Sequence, residues 1–204
     1  MRGLYLVTPN WDDTAALVDA TAHALRSGSA ALVQYRQKTA SPELRREQAV
    51  QLLALCRRHG VPFIINDFID LCLELDADGV HVGGTDASVT EARKLLGAGK
   101  IVGASCYGDK QLALDAAATG ASYVAFGGFY ASKVKQYPVT TPADIVSWAR
   151  AEIALPCVVI GGMTPANAAP LVARGADMVA AISSVYGAPV MEVAMHEFAR
   201  LFAE

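Results

Sequence analysis

Three side chains at alternate positions, Gln34, Arg36 and Lys38, continue the apolar run Ala30-Ala31-Leu32-Val33. Side chains alternate along an extended segment, so this amide and these two cations share one side. Cations on the inner face of a buried strand are costly unless something anionic meets them. Acids close two later apolar runs: Asn66-Asp67 after Pro62-Phe63-Ile64-Ile65, and Asp86 after Gly79-Val80-His81-Val82-Gly83. Two carboxylates on neighbouring strand ends suit Mg²⁺, a hard cation that takes a few carboxylates plus phosphate oxygens. Arg36 can fork onto a phosphate, while Lys38 and Lys135 add point charges. Such a set would bind a diphosphate and neutralise it as a leaving group.

A second anion site is expected near the C-terminus. Val158-Val159-Ile160-Gly161-Gly162-Met163-Thr164 sets two glycines at a strand end, before a helix opened by Pro165. Backbone N–H groups there can face a phosphate, helped by the helix N-terminus. Ala181-Ile182-Ser183-Ser184 would close the same pocket from the next strand. The chain therefore asks for two phosphorylated small molecules, one a diphosphate with metal and one a monophosphate.

The elements that must hold these residues alternate along the chain. Short apolar runs predict strands near 3–8, 30–36, 62–66, 79–82, 100–105, 122–127, 157–161 and 178–182. Helical spacing predicts helices between them, among them Thr14 to Arg26, Pro42 to His59 and Thr141 to Glu152. Ser41-Pro42-Glu43 reads as a cap followed by a first-turn proline, with Pro142 and Pro165 in like places. Gly28, Gly60, Gly97, Gly120 and Gly175 stand where helices would end. Eight strands alternating with eight helices point to an α/β fold, a single compact (β/α)8 TIM barrel over 1–204. An open doubly wound sheet fits less well, because no GxGxxG follows the first strand. In a barrel the site forms at the C-terminal strand ends, where Thr8, Gln34, Arg36, Lys38, Asn66, Asp67, Asp86, Ser105, Ser132, Lys135, Gly162 and Ser183 all fall. The one long connection, 127–140, is expected to close as a lid that brings Ser132 and Lys135 to the diphosphate.

Composition narrows the classes. The 204 residues are 53% hydrophobic, with a mean hydropathy of +0.30, enough to bury a large core. A net charge of −3 gives no basic field for nucleic acid. Four scattered cysteines (Cys56, Cys72, Cys106, Cys157) without a CxxC pair fit reduced thiols in the cytoplasm. No apolar run approaches the ~18 residues of a membrane span. A soluble cytoplasmic protein is expected, and a homo-oligomer is left open.

From Leu4-Tyr5-Leu6-Val7-Thr8 to about Gly187 the chain resembles the thiamine-phosphate synthase family. The likeness rests on Val33-Gln34-Tyr35-Arg36-Gln37-Lys38, Ile64-Ile65-Asn66-Asp67, Ala77-Asp78-Gly79-Val80-His81-Val82-Gly83 and Gly103-Ala104-Ser105-Cys106. Tyr123-Val124-Ala125-Phe126-Gly127, the Ser132 to Lys135 loop, Ile160-Gly161-Gly162 and Val179 to Ser183 extend it. Order and spacing carry more weight than any one piece. The resemblance implies that hydroxymethylpyrimidine diphosphate and hydroxyethylthiazole phosphate are joined to thiamine phosphate and pyrophosphate. Mg²⁺ would help the diphosphate leave, and the thiazole nitrogen would capture the pyrimidine-methyl cation. It further implies Asp67 and Asp86 as metal ligands, and Arg36, Lys38, Asn66, Ser132 and Lys135 as diphosphate contacts. Gln34 and Ser105 would touch the pyrimidine, and Gly162, Ile182 and Ser183 would donate backbone N–H groups to the thiazole phosphate.

Some residues depart from that pattern. Gly84 stands where the family often carries glutamine, Gly128 where it carries proline, and Val134 where a second hydroxyl is usual. Losing the hydroxyl at Val134 should remove one hydrogen bond, about 1 kcal/mol net. The related thiazole tautomerase uses a histidine in the loop after strand six, whereas no histidine lies between His81 and His196. A non-catalytic sensor of a phosphorylated thiazole would not need two metal carboxylates. His81, inside a strand, reads as a packed group and not as a base.

Overall fold

The computed structural model describes residues 1–83, 88–131 and 140–203. Its strands are β1 (Gly3–Val7), β2 (Ala30–Tyr35), β3 (Phe63–Asn66), β4 (Gly79–Val82), β5 (Ile101–Tyr107), β6 (Tyr123–Phe126), β7 (Cys157–Ile160) and β8 (Met178–Ala181). All pair in parallel with their sequence neighbours, and β8 closes on β1 from Gly3↔Met178 to Leu6↔Ala181. The helices are α1 (Thr14–Leu25), α2 (Pro42–His59), α3 (Ile69–Leu75), α4 (Val89–Leu96), α5 (Lys110–Ala118), α6 (Asp144–Glu152), α7 (Pro165–Val172), α8 (Ser183–Tyr186) and α9 (Met191–Arg200). Among the described residues, none is long and apolar enough to cross a membrane.

The barrel and its element types follow the sequence expectation, with three differences. Between β8 and the last long helix lies an additional short helix, α8, the piece that often completes a phosphate site in this fold. Helix α6 starts at Asp144 instead of Thr141, because Thr141 is committed elsewhere. Its hydroxyl donates to the Gly127 carbonyl at 2.6 Å and its N–H to Gly128 O at 3.2 Å. Strand β2 ends at Tyr35, so Arg36 and Lys38 ride on the loop that follows it.

Local chemistry sets the boundaries. Ser41 caps α2 by accepting from Leu44 N, Pro42 enters the first turn, and Gly60 stops the helix at φ 67°. Thr164 and Asn167 form a reciprocal capping box on α7. Strand parity then sorts side chains into two cores. Leu4, Leu6, Val33, Phe63, Ile65, Val80, Val102, Val124 and Val159 face the helices. Tyr5, Val7, Leu32, Ile64, Tyr123, Ala125, Val158, Met178 and Ala180 fill the barrel interior.

The N-terminal strand ends are clamped by a repeated device. Asp78 N donates to Phe63 O while Asp78 Oδ2 accepts from Phe63 N, at 3.1 and 2.8 Å. Asp177 does the same for Cys157, at 2.9 and 2.8 Å, and Ser122 for Val102, at 2.6 and 3.0 Å. These are the corner residues of the similar Ala77-Asp78-Gly79, Gly175-Ala176-Asp177 and Gly120-Ala121-Ser122 segments.

Candidate active site

At the opposite, C-terminal end, β2 and β3 deliver the first cluster. Beyond the β1–β2 ladder, Thr8 N donates to Gln34 O and Thr8 Oγ1 accepts from Arg36 N, both at 2.9 Å. This extends the pairing of the two strands and holds buried Arg36 at the barrel mouth. Gln37 is tied down in turn, its Nε2 donating to Trp11 O at 3.2 Å and its Oε1 accepting from Thr39 N at 3.2 Å. Lys38 leaves this fixed stem and pairs with Asp67, Nζ to Oδ2 at 2.9 Å.

Asp67 sits in left-handed backbone at φ 66°, a region that aspartate enters more readily than most residues. Its N–H donates to His81 O at 2.9 Å, carrying the β3–β4 ladder one step past the strand. Asn66 Nδ2 donates to Asp67 Oδ2 at 2.6 Å. The carboxylate thus receives an amide and an ammonium, with 15% of the side chain exposed against 45% for Lys38. So open an ion pair contributes only about 0–1 kcal/mol to stability, and its placement is better read as functional.

This arrangement fits Mg²⁺. Asp67 offers hard oxygens, and a cation, the Lys38 ammonium, already rests against one of them. Among the described residues, no group of three or more His, Cys, Asp or Glu side chains gathers around a common point. A metal held by Asp67 would then draw further ligands from substrate phosphates and water, as Mg²⁺ commonly does. The second expected ligand, Asp86, lies outside the described residues, as do Ser132 and Lys135 and most of the expected lid.

The second cluster crosses the barrel interior. Gln34 Nε2 donates to the Tyr5 hydroxyl at 2.7 Å, and Tyr5 and Tyr123 hydroxyls meet at 2.6 Å. Tyr123 reaches His81 Nδ1 at 2.9 Å, and His81 Nε2 meets Ser105 Oγ at 2.8 Å. Gln34 and Ser105, expected to touch one ring, are therefore the two ends of one hydrogen-bonded chain. His81 is packed, as its strand position suggested, stacked on Tyr123 with ring planes 19° apart. Its bonds at both ring nitrogens, and those of Tyr5 and Tyr123, join residues that no motif in the sequence links. Inward parity with Gln34 was the available signal.

The third cluster lies at β7 and β8, whose last ladder pair is Ile160↔Ala180. Gly161 (φ 105°) and Gly162 (φ 63°) turn the chain sharply there. A Cβ on Gly162 would stand 2.2 Å from Ala131 O, so glycine alone fits against that backbone. Asn167 Nδ2 donates to Gly162 O at 2.9 Å, and Tyr130 OH to Asn167 O at 3.0 Å. Ile182 occupies the position before the short α8, and Ser183 is its exposed first residue. Gly162, Ile182 and Ser183 thus leave adjacent strand ends together.

The family described as thiamine monophosphate synthase matches residues 4–185. The chain belongs to the thiamine monophosphate synthase family. Among its relatives, thiamine-phosphate synthase of Janthinobacterium sp. (strain Marseille) is 62% identical over all of this chain and 98% of its own length. That of Nitrosospira multiformis is 47% identical over 99% of this chain and 86% of its own. Thiamine phosphate pyrophosphorylase from Pyrococcus furiosus superposes with a TM-score of 0.84 at 29% identity, covering 98% of this chain and 94% of that one. The chain is an enzyme, a transferase of thiamine biosynthesis.

Proposed function

We propose that the protein joins hydroxymethylpyrimidine diphosphate to hydroxyethylthiazole phosphate, forming thiamine phosphate and releasing pyrophosphate, with Mg²⁺ as cofactor. The carrying observation is the Lys38–Asp67–Asn66 cluster beside buried Arg36, a charge set with little structural purpose at the mouth of a barrel. Arg36, Lys38 and Asn66 hold the diphosphate, and Asp67, with Asp86, holds the metal. When bound, the metal ion neutralises the departing diphosphate. Gln34 and Ser105 orient the pyrimidine, while backbone N–H groups of Gly162, Ile182 and Ser183 hold the thiazole phosphate so that its ring nitrogen faces the pyrimidine methylene. Ser132 and Lys135 complete the diphosphate site. Positioning and electrostatics suffice for this reaction, and no strong base is required.

The test mixes purified protein, both substrates and Mg²⁺, and follows thiamine phosphate and pyrophosphate together. Equimolar, chelator-sensitive formation of both is expected. Binding of the thiazole phosphate without turnover would refute the reading and leave a tautomerase or a sensor.

A further inference from the structure

The chain from Gln34 to Ser105 has a direction. Gln34 Nε2 donates to Tyr5, so the single Tyr5 proton is left for Tyr123, 2.6 Å away. In that direction the Tyr123 proton points to His81 Nδ1, 2.9 Å away. An imidazole that accepts at Nδ1 carries its proton on Nε2, and that N–H donates to Ser105 Oγ at 2.8 Å. The Ser105 oxygen is thereby occupied as an acceptor, and its own proton is the one left for a ligand. Reversing one link alone would leave a buried donor or acceptor mismatched, so the direction of the whole chain follows from the Gln34 amide, whose Nε2 faces Tyr5. Burial raises the pKa of both Tyr5 and Tyr123, so both remain O–H donors throughout the working range of pH. The barrel is also shaped around the relay. A Cβ on Gly103 would lie 2.0 Å from Tyr123 Cζ, so a larger residue there would displace the phenol.

We propose that Tyr5, Tyr123 and His81 are positioning residues that set the hydrogen-bonding polarity of the pyrimidine site. Ser105 is made to donate and Gln34 Oε1 is left to accept, which selects a ring offering a nitrogen acceptor and an amino donor over one with the reverse pattern. The inference rests on the pyrimidine roles given to Gln34 and Ser105 in the proposed function. Neither phenol nor the imidazole needs to touch the substrate.

The test uses two diphosphates, the 4-aminopyrimidine and its 4-oxo analogue, whose ring N–H and carbonyl invert the pattern. Wild type, Tyr123→Phe and Met178→Leu are compared, Met178 being an interior residue outside the relay. In Tyr123→Phe the amino-over-oxo ratio of kcat/KM should fall about tenfold, the scale of one buried hydrogen bond, with KM for the thiazole phosphate unchanged. Met178→Leu should leave the ratio intact. In parallel, ¹⁵N-histidine spectra should show His81 as the neutral Nε2–H tautomer in wild type and as mixed tautomers in Tyr123→Phe. An unchanged ratio in an active Tyr123→Phe, or a wild-type proton on Nδ1, overturns the proposal. A wild type that forms no thiamine phosphate refutes the proposed function instead, and the histidine spectra still decide the polarity.

Discussion

The two ends of the barrel treat polar groups in opposite ways. At the N-terminal end, Asp78, Asp177 and Ser122 each donate a backbone N–H to the neighbouring strand and accept one back through the side chain. Each such pair closes a strand end on itself. At the C-terminal end, Asp67 occupies left-handed backbone and Lys38 is half in solvent. Gly161 and Gly162 hold turns that other residues would strain. One end uses its polar groups to finish the sheet, the other keeps them ready for something else. This matches the division in such barrels between a stability face and a catalytic face. It also teaches that residue type does not reveal the role, since both ends use aspartate.

The sharpest way to break this comparison is to change one aspartate at each end. Asp67→Asn keeps a side chain suited to left-handed backbone and removes only the charge. Turnover should fall about a hundredfold to a thousandfold, the scale of losing one charge-stabilising group, while the thermal midpoint barely moves. Asp177→Ala should do the reverse. It strands the buried Cys157 N–H and should cost about 1–3 kcal/mol in a urea titration, with kcat/KM retained below the transition. If Asp177→Ala abolishes turnover in folded protein, or Asp67→Asn unfolds the chain, the division of labour fails.

Alkaline pH tests the layer between barrel and helices. Burial pushes the Cys56, Cys106 and Cys157 thiols up to about 12, and Cys72 to about 11, from an ordinary 9.0. Because these pKa values are raised in the folded chain, their contribution is complete below pH 9 and is lost as pH climbs through the folded values. The thermal midpoint should therefore hold from pH 7 to 9 and decline above it. Replacing Cys56, Cys106 and Cys157 by alanine should lower the midpoint at pH 7 but flatten its alkaline slope. An equal slope in both proteins would remove the thiols as the cause.

How far these features can be read from sequence follows from the range of the interactions. Helix α2 is legible end to end because Ser41, Pro42 and Gly60 act within a turn of themselves. The start of α6 is not, since Thr141 answers to Gly127, fourteen residues earlier. Lys38 and Asp67 could both be placed at the barrel mouth from sequence, as diphosphate and metal contacts on neighbouring strand ends, though not as partners of each other. The relay is different. Tyr5, His81 and Tyr123 come from β1, β4 and β6, which meet only once the barrel has closed, and alternation says which side they face without saying whom they meet. Asp86, Ser132 and Lys135 lie outside the described residues, and their roles rest on residue type, strand-end position and the resemblance.

The smallest expected effect is at Arg45, which lies outside the mouth and still serves it. Its Nε donates to Gln37 O at 3.2 Å and its Nη2 to Ala40 O at 2.9 Å, bracketing Lys38 in the loop after β2. The same guanidinium lies 3.8 Å over the ring of Phe68, the residue after Asp67. One side chain thus fastens together the loops that carry the two halves of the ion pair. Lysine keeps the charge but cannot fork to two carbonyls while its flat face covers a ring. Arg45→Lys should raise KM for the diphosphate substrate about three- to tenfold, one hydrogen bond's worth, and leave kcat within about twofold. An equal fall in kcat with KM untouched would mean that Arg45 stabilises the transition state directly, and the catalytic end would then extend one layer further out than Lys38 and Asp67.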